Sequence, residues 1–192
     1  MNLYQYCGNN PVNYVDPSGF TTIKIWTTDP KKPSIIMTDP TIDQFRNTIS
    51  SQKGCSIKKI KISGHGTQHY IAIERGQGEG LYYDNGQVVY SDNTERSFAG
   101  DIRDKLDKNA VVELNGCFTA MDIPFFRDNI SKQLSRDLPG IIVRGNSSAS
   151  ISNEIQKFWN RNQFIRIGSE THVIGQRRQY INGEEFLLLR EN

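Results

Sequence analysis

The chain has 192 residues, of which 36% are hydrophobic and 23% are charged, and this composition suits one globular domain with its own core. Its formal net charge of +2 is small and scattered, which argues against a basic groove for nucleic acid. No apolar run approaches the about 20 residues that a membrane-spanning helix needs, and the polar first residues do not have the pattern of a signal peptide.

The cysteines predict neither a disulfide framework nor a structural zinc site. Cys7, Cys55 and Cys117 lie far apart and form no CxxC motif, which favours a reduced working environment. The glycine-rich segment GQGEG at 76–80 has no P-loop or dinucleotide fingerprint around it. We therefore expect neither a metal nor a cofactor.

The first twenty residues are rich in turn signals. They contain Asn9-Asn10-Pro11 and Asp16-Pro17 but no lysine or arginine. By composition alone they are a Pro/Gly/Asn-rich linker.

From residue 21 onward, strand and helix patterns alternate. Runs of β-branched and apolar residues predict strands at 22–26, 34–37, 55–63, 70–74, 110–114 and 140–143. Asn85-Gly86 between two such runs predicts a hairpin over 81–90, and the tail from 164 to 189 is predicted to be mainly β, with a turn at Asn182-Gly183. Helical periodicity predicts helices over 41–51, 98–106 and 124–134, the first of them capped by Asp39 before Pro40. This alternation predicts an α/β fold with a mostly parallel central sheet.

Two reactive side chains follow strands of this predicted sheet. His65 lies between Gly64 and Gly66 in IKISGHG, and Cys117 follows Gly116 in VVELNGC. Functional residues gather at the carboxyl ends of parallel strands, so both are expected at one sheet edge. An imidazole near a thiol favours the nucleophilic thiolate. A buried structural cysteine and a structural histidine are the competing interpretation, and the residues alone leave the two about equal.

The opening segment resembles the end of the core domain in Rhs-repeat proteins, which has the pattern YxYxxNNPxxxxDPxGL. The matching residues are Tyr4, Tyr6, Asn9, Asn10, Pro11, Asp16, Pro17, Gly19 and Phe20, with Phe20 where leucine is usual. The resemblance implies that residues 1–20 are the remnant of an Rhs shell. It also implies that residues 21–192 are a C-terminal toxin, usually released by self-cleavage after this motif.

The order of strand, SGHG, DNG, helix and strand with NGCFTA, over residues 58–120, resembles the caspase-like cysteine peptidases, such as caspases, gingipains, separase and the CHAT proteases. The resemblance implies a three-layer α/β/α sandwich. It implies that His65 is the general base and acid, that Cys117 is the nucleophile, and that the N–H groups of Gly66 and Cys117 form the oxyanion hole. It also implies a specificity pocket near 141–146, where Arg144 pairs with an acidic P1 side chain or forms a structural salt bridge.

Together the two resemblances imply a secreted effector that is delivered by its Rhs shell and acts in the cytoplasm of a target cell. The expected partners are a protein substrate and a cognate immunity protein that covers the cleft.

Other interpretations stay open. An ADP-ribosyltransferase toxin would use NAD, Arg144, the serines at 147, 148 and 150, and Glu184 or Glu185, although neither of these two glutamates ends an ExE or QxE pair. A catalytically silent caspase-like fold would be a binding module. His69 forms an H-x₃-H pair with His65 but has no third metal ligand nearby in the sequence. The lysines at 58, 59 and 61 are expected on a solvated face.

Overall fold

The computed structural model describes residues 20–75, 79–92, 94, 96–122, 128–147 and 177–186. The strands are β1 Thr22–Thr27, β2 Ser34–Thr38, β3 Ile57–Ser63, β4 Gly66–Thr67, β5 Tyr70–Ala72, β6 Gly80–Asp84, β7 Gln87–Tyr90, β8 Leu106–Asn115, β9 Ile142–Asn146, β10 Arg177–Ile181 and β11 Glu184–Phe186. The helices are α1 Ile42–Ser50, α2 Phe98–Ile102 and α3 Ile130–Asp137, and a 3₁₀ turn at Arg103–Lys105 follows α2. The Rhs-like motif at 1–19 lies outside the described residues.

The main sheet is mixed, and the predicted mostly parallel sheet is wrong. Its seven strands run in the order β11-β10-β9-β8-β3-β1-β2. Among the described strands, only the central pairs β3–β8 and β8–β9 are parallel, and α2 and α3 lie in the connections between these paired strands. The flanking strands add antiparallel neighbours, including the hairpins β1–β2 and β10–β11.

The hydrophobic core lies on one face of this sheet. Alternate residues of β1 and β3, such as Ile23, Ile25, Ile60 and Ile62, are fully buried. All three described helices contribute to the same apolar cluster, Phe45 from α1 being one example. Within the described ranges the fold is therefore mixed α/β with helices against one face, and the second helical layer of the expected three-layer sandwich is not among them.

A smaller antiparallel sheet, in the order β4-β5-β6-β7, completes the core. The predicted hairpin is confirmed between β6 and β7, where Asn85 and Gly86 have φ of 43° and 84°. Positive φ at both central turn residues is the geometry that Asn-Gly favours. This small sheet begins directly after His65 and therefore shapes one side of the candidate site.

Several element boundaries differ from the predicted ones. Helix α1 is capped by Thr41 in a capping box with Gln44, rather than by Asp39. Leu106 opens β8 instead of ending α2, since the helical periodicity of the sequence continues into the strand. Helix α3 begins after the cap Asn129 and extends to Asp137, past the predicted end at 134, while the predicted start at 124–127 lies outside the described residues. Of the predicted β-rich tail, only the hairpin around Asn182 and Gly183 falls within the described residues, and it has the expected turn.

In the part of the chain that the structure describes, no helix combines the length and apolarity needed to cross a bilayer.

Candidate active site

The register of β3 and β8 brings the His65 and Cys117 loops to the same edge of the sheet. The two strands are parallel, and Ser63 pairs with Asn115 at their carboxyl ends. Each candidate residue lies two positions beyond its member of this pair. The paired ends therefore hold the histidine and the cysteine on neighbouring loops.

The two loops touch through glycine. A Cβ atom built on Gly66 would lie 2.9 Å from the Cα of Gly116 and 3.1 Å from the backbone nitrogen of Cys117. A side chain at Gly66 would thus collide with the backbone of the other loop. The glycines allow this close approach, and it makes the Gly66 and Cys117 peptide groups neighbours.

His65 is half-buried at the start of the small sheet. Its carbonyl oxygen accepts a hydrogen bond of 2.8 Å from the backbone N–H of Ala72, which fixes the backbone on this side of the site. Burial lowers the pKa of the imidazole below its ordinary value, because the charged form is poorly solvated there. The ring is therefore neutral at neutral pH and able to accept a proton.

Cys117 has a half-buried thiol that is not part of a disulfide, and it lies in a sharply turned loop. The next residue, Phe118, has a φ of 58°, which is uncommon for a bulky side chain. Strained backbone of this kind persists only where its surroundings hold it in place, and it clusters at functional sites.

Thr119 holds this turn. Its buried hydroxyl donates to the carbonyl of Leu114 at 2.8 Å and accepts from the backbone N–H of Asn146 at 3.2 Å. The Ala120 N–H in turn donates to the carbonyl of Asn146 at 2.9 Å. The end of β9 therefore fixes the loop that carries Cys117.

A row of polar side chains crosses the ends of the three parallel strands. Asn115 donates to the hydroxyl of Ser63 at 3.3 Å, and Asn146 donates to the side-chain oxygen of Asn115 at 3.1 Å. Asn146 also donates to the carbonyl of Gly116 at 3.2 Å. This polar row fixes the spacing of the strands immediately before the candidate residues.

Sequence reasoning missed Thr119 and the polar row. One signal was present, because Ser63, Asn115 and Asn146 are the polar last residues of three strands that are otherwise rich in apolar residues. The role of Thr119 depends on a contact with a residue 27 positions away, which no local pattern shows.

Arg144 lies on the polar face of the sheet, on β9. Its guanidinium donates to the side-chain oxygen of Gln179 at 2.6 Å and pairs with Glu113 at 3.4 Å. A small open depression lies beside it. The depression is lined by Glu113, Leu114, Asn115, Arg144, Gly145, Asn146 and Arg177. The salt-bridge role considered for Arg144 is thus present, and the residue also lines a depression next to the polar row.

The remaining candidate residues are dispersed. His69 is exposed, and its ring packs edge-on against Tyr83 at 5.7 Å. Among the described residues, no group of three or more His, Cys, Asp or Glu side chains has the geometry to hold a metal ion.

The residues of the ADP-ribosyltransferase interpretation are separated in the sheet: Arg144 is on β9 and Ser147 directly follows it, whereas the two glutamates are two strands away. Glu184 and Glu185 are on the edge strand β11, and Glu185 pairs with Arg178 at 3.4 Å. Ser148 and Ser150 fall outside the described residues.

Comparison of the chain with models of known protein families, with curated proteins and with solved structures finds no match.

Proposed function

We propose that this chain is a cysteine endopeptidase that uses Cys117 and His65 as its catalytic pair. One observation carries the proposal: the parallel register of β3 and β8 and the contact between Gly66 and Gly116 hold the two loops against each other. The neutral imidazole of His65 and the strained turn after Cys117 also support it, since both are features of prepared active sites.

In the proposed reaction, the His65 imidazole accepts the thiol proton and the Cys117 thiolate attacks the carbonyl carbon of a peptide bond. The N–H groups of Gly66 and Cys117 donate hydrogen bonds to the oxyanion of the tetrahedral intermediate. His65 then returns the proton to the departing amine as the C–N bond breaks, which leaves a thioester on Cys117. Water, deprotonated by His65, hydrolyses the thioester and restores the thiol.

The biological setting belongs to the same proposal. The caspase-like order of elements and the Rhs-like opening segment together support a toxin that an Rhs shell delivers into the cytoplasm of a target cell. There it cleaves proteins, while an immunity protein protects the producing cell by covering the cleft.

The test is a survey of new protein N-termini in bacterial lysate treated with the purified wild-type protein or with the Cys117→Ser variant. Cys55→Ser is the matched control, because Cys55 is an exposed thiol far along the chain from the site. New termini with the wild type and with Cys55→Ser, and none with Cys117→Ser, are the expected result. Identical surveys for all three proteins would refute the endopeptidase and leave the NAD-dependent toxin or the silent module to be tested.

A further inference from the structure

The main sheet has a polar, strongly basic face opposite the core. Because side chains alternate along a strand, residues at every second position of β1, β3, β8, β9 and β10 point to this face. The residues on these strands that concern binding are Lys24, Trp26, Lys59, Lys61, Glu113, Arg144 and Arg177, which we call the basic face. Glu184 of the edge strand β11 is on the same face, so five cations against two carboxylates leave an excess of three positive charges, on a chain whose total formal charge is +2.

Glu113 neutralises only part of this charge. Its carboxylate is 5% exposed and lies 2.8 Å from Lys59, 3.4 Å from Arg144 and 3.7 Å from Arg177. The side chains of these three cations keep exposed fractions of 30%, 28% and 47%, so solvent and a partner have access to them. The basic face is thus a reachable surface.

The other two lysines, Lys24 and Lys61, form no ion pair within the described ranges. They are directly opposite each other in the β1–β3 register, and Lys61 is also directly opposite Glu113 in the β3–β8 register. Like charges at opposite positions of a sheet are destabilising. Burial, and the positive charges of Arg177, Lys59 and Lys24, lower the pKa of Lys61 despite the attraction of Glu113. A negative group from outside the fold would relieve this repulsion.

An aromatic ring lies beside the lysine pair. Trp26 is opposite Lys59, and the ammonium groups of Lys24 and Lys59 lie 4.7 Å and 5.1 Å from the centre of its ring. The ring thus fixes two ammonium groups next to an apolar surface, a combination that suits an acidic segment with apolar neighbours.

The chemistry favours carboxylates over nucleic-acid phosphates. The Arg144 fork already contacts Glu113 and Gln179, so the uncommitted donors are lysines, which act as point charges. The sequence pI of 8.4 is also below the value above about 9 that marks nucleic-acid-binding domains. We propose that the basic face binds an acidic polypeptide segment, whose carboxylates lie between Lys24 and Lys61 and whose apolar groups pack on Trp26.

The basic face lies close to the candidate active site. Lys61 is two residues before Ser63, so the bound segment ends about 7 Å from the polar row and close to the Cys117 loop. An acidic substrate or immunity protein would thereby be held at the cleft. The inference goes beyond the proposed reaction, because binding requires neither Cys117 nor His65.

The experiment measures the anisotropy of a fluorescein-labelled decaglutamate peptide, with an oligothymidylate of equal length as the nucleic-acid probe. Lys24→Glu/Lys61→Glu is the test variant. Lys31→Glu/Lys32→Glu, at exposed positions of the β1–β2 connection, is the control with the same change in net charge. The variant Lys24→Gln/Lys61→Gln removes the two positive charges without reversing them, and it replaces the glutamate variant if that protein does not fold. Urea unfolding measures the stability of every variant.

The expected result is that the wild type, Cys117→Ser and the control variant bind the peptide alike, while the test variant binds about tenfold more weakly. Equal loss in the control variant would show that only net charge matters, and tighter binding of the oligothymidylate would assign the surface to nucleic acid. Either result, or no binding by the wild type, would overturn the proposal. Because Cys117→Ser should still bind, failure of the endopeptidase and failure of this inference are distinguishable.

Discussion

Replacement of Gly66 by alanine tests whether the contact between the two loops matters for chemistry. The new Cβ would lie 2.9 Å from the Cα of Gly116. Carbon atoms pack best at about 3.5–4.0 Å, so the loops must separate by roughly 0.6 Å. Overpacking of this kind costs about 1–3 kcal/mol of stability.

The expected kinetic effect follows from the same displacement. Because a misplacement of about 1 Å in an active site can cost about a hundredfold, a shift of roughly 0.6 Å predicts about a tenfold loss. The readout is the rate at which iodoacetamide alkylates Cys117, measured by peptide mass spectrometry relative to the exposed Cys55 in the same chain. We expect Gly66→Ala to slow Cys117 selectively and to leave Cys55 unchanged.

Gly100→Ala is the matched control. A Cβ at Gly100 meets nothing closer than 3.6 Å, so this variant should keep the wild-type rate and gain about 0.5–1 kcal/mol of stability in helix α2. If Gly66→Ala stays folded and its Cys117 reacts at the wild-type rate, contact between the loops does not prepare the thiol.

Two further variants test the supports of the site. Thr119→Val removes the hydroxyl that joins Leu114 and Asn146, and should cost about 2–3 kcal/mol in urea unfolding and slow the alkylation of Cys117, whereas Thr119→Ser should retain both properties. A Thr119→Val protein as stable as the wild type would show that the hydroxyl does not hold the turn. Glu113→Gln leaves the cations around Glu113 without their carboxylate and should cost about 2 kcal/mol at pH 7, less than a fully buried pair because those cations are partly exposed. Burial alone would raise the pKa of Glu113, but the hydrogen bond and charge of Lys59 lower it overall below 4.5. The stability that the Glu113 carboxylate contributes is therefore lost as the pH falls through that lowered pKa. A difference in unfolding free energy between wild type and Glu113→Gln that stays the same at lower pH would contradict this assignment.

The local elements of the fold were largely predictable from the sequence. The β1, β2 and β3 patterns and the Asn85-Gly86 turn are encoded by neighbouring residues, because side-chain alternation and positive φ are local properties. The capping residue of α1 was wrongly predicted, because Thr41 and Gln44 form a capping box and Asp39 is not the cap. The direction of a strand is not determined by its own residues. The alternation of strands and helices therefore predicted a mostly parallel sheet, although antiparallel strands flank β3, β8 and β9.

The candidate site was predictable only in part. His65 and Cys117 stood out because each follows a strand and is flanked by glycine. Their supports did not stand out, since Thr119 and Asn146 act through pairings that exist only once β8 and β9 are side by side. The basic face was not predictable from the sequence either, because Lys24 and Lys61 are distant in the chain and become neighbours only in the sheet. Lys59 and Lys61 were expected on a solvated face, but both are half-buried.

The measurement that tests the central claim most directly is the pH dependence of Cys117 alkylation in the wild type and in His65→Gln, again with Cys55 as the internal reference. Burial lowers the pKa of His65 below 6.5, so the neutral imidazole is present above that lowered pKa and is lost as pH falls through it. We therefore predict that Cys117 reacts faster than Cys55 at neutral pH, and that this advantage declines only below pH 6.5. The advantage should be absent at every pH in His65→Gln. An unchanged Cys117 profile in His65→Gln would contradict the pairing of the two residues.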